Sequence, residues 1–145
     1  MEFQIERLTS FSEELVEKFN RLLSQLNKEV AILTKEDIEK ILSSRDNFLL
    51  VARSADTKEI VGMTTLVIYR IPVGIKGWIE DVVVDEKYRH KGIATLLIRH
   101  AISSAKAEGL SSLNLTSRPI REKANQLYEH LGFEKRDTNV YQIKL

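Results

Sequence analysis

The chain has no cysteine, which removes disulfide frameworks, thiolate nucleophiles and cysteine-ligated zinc in one step. Proline occurs twice and glycine six times in 145 residues, so collagen-like, mucin-like and disordered compositions are excluded. No run approaches the roughly 18 consecutive apolar residues of a membrane span, and residues 1–30 are charged and amphipathic, unlike an export signal. The expectation is a cytoplasmic protein that does not insert into a membrane. A strong excess of one charge is also missing. Lys and Arg number 22 against 21 Asp and Glu, a net of +1, whereas a dedicated nucleic-acid binder is usually strongly basic. His90, His100 and His130 lack carboxylates at ligand spacing, so no metal site is expected. The chain as a whole is 43% hydrophobic and 30% charged, an ordinary composition for one domain over residues 1–145.

The near-neutral total conceals a local imbalance. Across residues 87–123, eight Lys or Arg stand against two Glu, a net of +6 that leaves −5 for the remainder. Basic residues gathered in one segment fit a local anion site better than a track for a polyanion.

Hydrophobic periodicity gives the elements. Residues 2–8 alternate as a strand. Ser10 or Ser12 can cap a helix with the stripe Leu15, Phe19, Leu22 and Leu26, and Thr34 can cap a second with Ile38, Ile41 and Leu42 inward. Runs at 48–53, 59–69 and 77–84 read as strands, the first two joined by a short polar turn. A long amphipathic helix from Gly92 to about Glu108 carries Ile93, Leu96, Leu97, Ala101 and Ala105, with Gly109 to end it. A strand at 112–116 follows, then a helix at 120–131 stopped by Gly132, and one or two final strands within 133–145. The order β α α β β β α β α β(β) is α/β or α+β, with early hairpins and later strand-helix-strand crossovers in a mixed sheet.

The segment Arg89-His90-Lys91-Gly92-Ile93-Ala94 joins the strand ending at Val84 to the long helix. The first amides of a helix have no internal acceptor, so they offer free N–H groups and the positive end of the dipole to an anion. Gly92 and the small Ala94 would let a phosphate approach the backbone, and Arg89 and Lys91 add charge. Spacing alone leaves two readings open, this anion cradle or a solvated basic turn.

The run EDVVVDEKYRHKGIATLLIRHAI at 80–102 resembles the acetyl-CoA motif of the GNAT superfamily of acyl-CoA N-acyltransferases. Its core is Arg/Gln-x-x-Gly-x-Gly/Ala after a valine-rich strand, and Arg89, Gly92 and Ala94 supply it. A second family motif, Asn and then Leu-Tyr followed by Leu-Gly-Phe, is matched by ANQLYEHLGFEK at 124–135. The resemblance covers essentially the whole chain. It implies a largely antiparallel mixed sheet, splayed where the cofactor binds, with helices on both faces. It also implies an N-acetyltransferase that uses acetyl-CoA as cosubstrate and passes the acetyl group directly to a primary amine. Position by position, the amides of His90, Lys91, Gly92, Ile93, Ala94 and Thr95 would hold the pyrophosphate, and the backbone of Val82, Val83 and Val84 would pair with the pantetheine arm. The Val82 amide would be the oxyanion donor. Asn125 would hydrogen-bond the pantetheine, and Tyr128 would stand beside the sulfur as general acid.

Amine acetylation also needs a base, because an alkylammonium with a pKa near about 10.4 is protonated at neutral pH. Glu80 is the candidate, two residues from Val82 and so expected on the same face, with Asp81 or a water relay as alternatives. Read without the motif, Tyr128 belongs to an apolar helix stripe with Ala124, Leu127 and Leu131, and Glu80 is a solvent-facing strand carboxylate. Trp78 and Tyr69 could line an acceptor pocket built from residues 27–33, 71–76, 112–117 and 137–139. The alternative is a non-catalytic acyl-CoA-binding module that shares the cradle without the chemistry. Either a monomer or a homodimer fits the sequence.

Overall fold

Phe48, Leu49, Leu50, Val51 and Ala52 are buried one after another. Such a run has no alternation because both of its faces are covered, and it marks the middle of a sheet. The computed structural model describes residues 2–145, and these fall into two compact units, one running to Leu115 and one from Thr116 to Leu145.

The first unit contains strands β1 (Phe3–Leu8), β2 (Asn47–Ser54), β3 (Ile60–Ile71), β4 (Gly74–Val84) and β5 (Ser112–Asn114). Its helices are α1 (Glu14–Leu26), α2 (Lys35–Ser43) and α3 (Ile93–Ala107). The sheet order is β1-β2-β3-β4-β5. The first four strands pair antiparallel, and β5 returns parallel to β4 after the crossover through α3. Leu15, Phe19 and Leu22 of α1 and Ile38 of α2 join Leu49, Val51, Met63 and Val83 in one core. On the opposite face a Cβ built on Gly62 would come within 3.2 Å of Ile93 and 3.3 Å of Leu97, so a side chain there would press on α3. Helices therefore cover both faces, as the resemblance implied. No helix among the described residues is long and apolar enough to cross a membrane.

Local signals set most boundaries. Thr34 accepts from the Asp37 amide while Asp37 accepts from the Thr34 amide, a complete capping box. At the end of α3, Gly109 has φ +77°, and the amides of Gly109 and Leu110 bond the carbonyls of Lys106 and Ala105, which closes the helix with a left-handed residue. Other expectations need correction. Glu13, with no side-chain cap bond, occupies the N-cap of α1; Ser12 contributes only its carbonyl, to the Leu15 amide. Leu96 is 39% exposed, and Ile98 takes the inward place.

The second unit holds α4 (Glu122–His130), two residues shorter than expected at its start and one at its end. Residues 133–145 form no strand, and Val140, Tyr141 and Ile143 are exposed. The alternation that suggested a final hairpin has no partner strand to pair with, and an isolated ribbon is marginal at best.

Candidate active site

In the first unit the site residues lie along the far half of β4 and the turn beyond it. Parallel pairing with β5 stops after Trp78 meets Asn114, so residues 79–84 have an edge with no strand beside it in this unit. On its other edge β4 runs along β3, with one irregularity. Met63 pairs with Val83 and Thr65 with Glu80, leaving Asp81 and Val82 opposite Thr64 alone. This is a β-bulge, and Asp81 sits in it at φ +52°, a left-handed conformation that Asp tolerates better than most residues.

The bulge changes the facing of the strand. Met63 and Thr65 share a face, so their partners Val83 and Glu80 do too. The expected alternation linking Glu80 with Val82 therefore does not hold, and their relation is through the backbone of the bulge. Glu80 has an exposed side chain, and its carboxyl is pushed above the ordinary range by partial burial and then by the charge of Asp81. Trp78 and Tyr69 lie on the Glu80 face, joined by a 3.2 Å bond from the indole N–H to the phenol oxygen. Val82 and Val84 are half-buried and Val83 is buried.

Beyond Val84 the chain is tied in place. Asp85 is 6% exposed; it receives the Arg21 guanidinium at 3.0 Å and the Lys87 amide at 3.1 Å. Burial alone would raise its pKa, but the bonds and charge of Arg21, with the Lys87 amide and Gln25, bring it below the ordinary value. Gln25 also accepts from the Glu86 amide at 2.8 Å. Neither Arg21 nor Gln25 was singled out in the sequence, because nothing local links α1 to a residue 64 positions away.

The turn that follows presents its amides. His90 has φ +64° and Gly92 φ +80°, and left-handed residues interleaved in a turn gather successive N–H groups into a concave nest. Among the described residues, none of the amides of His90, Lys91, Gly92, Ile93, Ala94 and Thr95 donates to a backbone acceptor. A Cβ at Gly92 would meet nothing within 4 Å, so the space above it is open. Arg89, His90 and Lys91 are exposed, while the side chain of Ile93 is in the core and contributes only its amide. The Arg89 Nε donates to the Val84 carbonyl at 3.3 Å, which leaves its terminal N–H groups available. This is a fit for a pyrophosphate: fixed donors, open approach and positive charge.

In the second unit, α4 ends as α3 does. Gly132, at φ +103°, donates to the Glu129 carbonyl and Phe133 to that of Tyr128. The reversal returns the Phe133 ring to Tyr128, edge to face at 6.1 Å, the apolar contact that accompanies such a helix end. Tyr and Leu-Gly-Phe are thus one local structure. Burial raises the Tyr128 pKa, opposed by Arg121. Asn125 donates through Nδ2 to the Arg118 carbonyl at 3.1 Å, which leaves its oxygen as an acceptor.

Three comparisons with known proteins bear on this geometry. A probable glucosamine 6-phosphate N-acetyltransferase of Drosophila melanogaster is 30% identical over 123 residues, 79% of this chain and 54% of the fly protein, so the chain spans about half the length of that relative. The crystal structure of a Trypanosoma brucei acetyltransferase superposes with a TM-score of 0.80 at 27% identity, covering 99% of this chain and 100% of that one. A transcriptional regulator from Bacillus halodurans superposes with a TM-score of 0.83 at 26% identity, with coverage of 99% and 100%. The acetyltransferase (GNAT) family matches residues 9–133, and its enzymes use acetyl-CoA; this chain belongs to that family.

Proposed function

We propose that this chain is an N-acetyltransferase that moves the acetyl group of acetyl-CoA to a primary amine within a ternary complex. The observation that carries the reading is the continuity from the open edge of β4, through the bulge at Asp81 and Val82, into the turn of unpaired amides ending at Gly92. An extended ligand with amides along one part and a pyrophosphate at its end matches that run of donors and acceptors.

In this reading Glu80 takes the proton from the ammonium, directly or through a water. Its raised pKa makes it a better base than an ordinary carboxylate. The Val82 amide donates to the thioester oxygen as negative charge collects there, a contribution typically worth roughly 10²- to 10³-fold in rate. Tyr128, kept protonated by its raised pKa, gives its proton to the departing sulfur, and Asn125 accepts from a pantetheine N–H. The fly relative makes glucosamine 6-phosphate the first acceptor to try.

The test is calorimetric titration with acetyl-CoA, with dephosphorylated pantetheine as control, followed by thiol release across a panel of amines. Saturable binding that requires the phosphates and amine-dependent thiol release support the reading; absence of binding at millimolar acetyl-CoA overturns it. The acid limb of turnover should fall above the ordinary carboxylate range, and Asp81→Asn should move it down, because the neighbouring charge is one cause of the shift.

A further inference from the structure

Thr64 is completely buried, yet it carries a hydroxyl, and a buried hydroxyl needs a partner. It sits on β3 opposite the two extra residues of the β4 bulge, and its Oγ1 donates to the Glu80 carbonyl at 2.9 Å. That carbonyl belongs to the peptide entering Asp81. The φ and ψ of Asp81 then set the next peptide, which carries the Val82 amide, relative to the first. With the first peptide held and Asp81 kept in its narrow left-handed well, the second has one orientation.

From this geometry we infer that Thr64 is a positioning residue: its hydroxyl latches the bulge so that the Val82 amide stays aimed at the site of the thioester oxygen. The inference rests on the proposed role of that amide. A latch is needed because Asp81 is held at φ +52°, a region that a non-glycine residue leaves readily when nothing opposes it. Register alone does not hold it there. Val83 and Ile79 are both anchored in the core, which requires an extra residue between them but leaves the peptide joining Glu80 to Asp81 free to turn over. Turning it would move the Glu80 carbonyl away from Thr64 and bring Asp81 to a negative φ, where the ψ of a left-handed residue, about +47°, lies between the helical and extended wells. Asp81 then relaxes in ψ as well, and that second rotation redirects the Val82 N–H.

Thr64→Val, which keeps the shape and removes the hydroxyl, and Thr64→Ser, which keeps the hydroxyl, separate the latch from packing. The full chain would be studied by NMR, reading the sign of φ at Asp81 from its coupling constants, and then with acetyl-CoA carrying 13C at the acetyl carbonyl. In the wild type and in Thr64→Ser, Asp81 keeps its positive φ and the bound carbonyl carbon moves downfield. In Thr64→Val, φ becomes negative or averaged, the downfield shift shrinks, and acetyl-CoA affinity stays within about twofold because the phosphate cradle is untouched. Turnover falls at least about tenfold, short of the roughly 10²- to 10³-fold of an oxyanion donor lost outright, with KM for acetyl-CoA unchanged. A Thr64→Val protein whose Asp81 and carbonyl shift are both as in the wild type overturns the latch. If Asp81 changes while the carbonyl shift and turnover do not, the latch stands and the Val82 assignment falls. If acetyl-CoA binds neither protein, the proposed function falls, and Asp81 still decides the latch.

Discussion

The turn between β4 and α3 and the chain beyond α4 are both short of regular structure, yet they are held very differently. In the turn, Asp85 donates its amide N–H to the Val61 carbonyl and accepts from Arg21 at its carboxylate, Gln25 accepts from the Glu86 amide, and Tyr88 packs edge-on against Phe3. Tethers thus come from α1, β1 and β3. Past Phe133, the only bond among the described residues joins Asn139 to Tyr141, two positions apart. An anion cradle works only if its amides are aimed before the ligand arrives, since ordering them on binding would cost affinity. The difference suits the turn to the proposed anion site and leaves the end of α4 one organised feature, the junction of Tyr128 with Leu-Gly-Phe.

The sharpest way to break this division is a pair of variants. Gly92→Glu places a carboxylate where the pyrophosphate should lie and should weaken acetyl-CoA binding at least about 100-fold, or roughly 2.7 kcal/mol. Gly92→Ala, which meets no steric obstacle but must adopt φ +80°, should weaken it far less. Tyr128→Phe should do the reverse of Gly92→Glu, leaving calorimetric affinity intact while turnover falls by about 10²-fold or more, as expected for a lost general acid. Wild-type affinity in Gly92→Glu would move the anion site elsewhere, and wild-type turnover in Tyr128→Phe would remove chemistry from the second unit.

A smaller effect should come from cutting the tether. Asp85→Asn removes the charge that Arg21 and the Lys87 amide stabilise, and is expected to cost about 1–3 kcal/mol. The pKa of Asp85 is depressed in the folded protein. Its contribution to stability is therefore complete above the unfolded value of about 4 and is lost as pH falls through the lower folded value. Denaturant midpoints should drop more steeply in the wild type than in Asp85→Asn as the pH is lowered below about 4. Equal slopes would mean that the carboxylate does not hold the turn.

What was legible in the sequence divides along the same line. Thr34 with Asp37, Gly109 and Gly132 are each recognised within one turn of chain, and the structure uses all of them at helix ends. Glycine and the basic residues after a valine-rich strand likewise marked the turn with free amides, because a helix N-terminus advertises itself locally. The bulge was not legible. EDVVV, two acidic residues and then three valines, reads as well as an unbroken strand, and only the structure shows that two residues there face one on β3, a fact about register with a strand some seventeen residues away. Arg21 and Asp85 meet only because α1 crosses the end of β4. In 133–145 the error ran the other way: the alternation of Tyr141, Ile143 and Leu145 is a strand pattern, but a strand is a relation between two segments, and the partner is not written in the pattern.

The smallest predicted effect tests whether the organised end of α4 serves Tyr128. Gly132 reverses the chain so that the Phe133 amide reaches the Tyr128 carbonyl at 3.0 Å, and the ring then meets the phenol edge to face, its plane inclined by 72°. Phe133→Leu keeps an apolar side chain at the reversal and keeps both backbone bonds, so helix closure should survive. What it removes is the aromatic geometry, worth about 0.5–1.5 kcal/mol, and with it one wall that limits the Tyr128 ring. The thermal midpoint should fall by a few degrees at most, acetyl-CoA affinity should not change, and turnover should drop a few-fold with an unaltered acid limb, because the substitution changes no charge and leaves Asp81, one cause of the Glu80 shift, in place. A fall in affinity instead would mean that Phe133 contributes to holding the cofactor, and that its contact with Tyr128 serves binding rather than the placement of a proton donor.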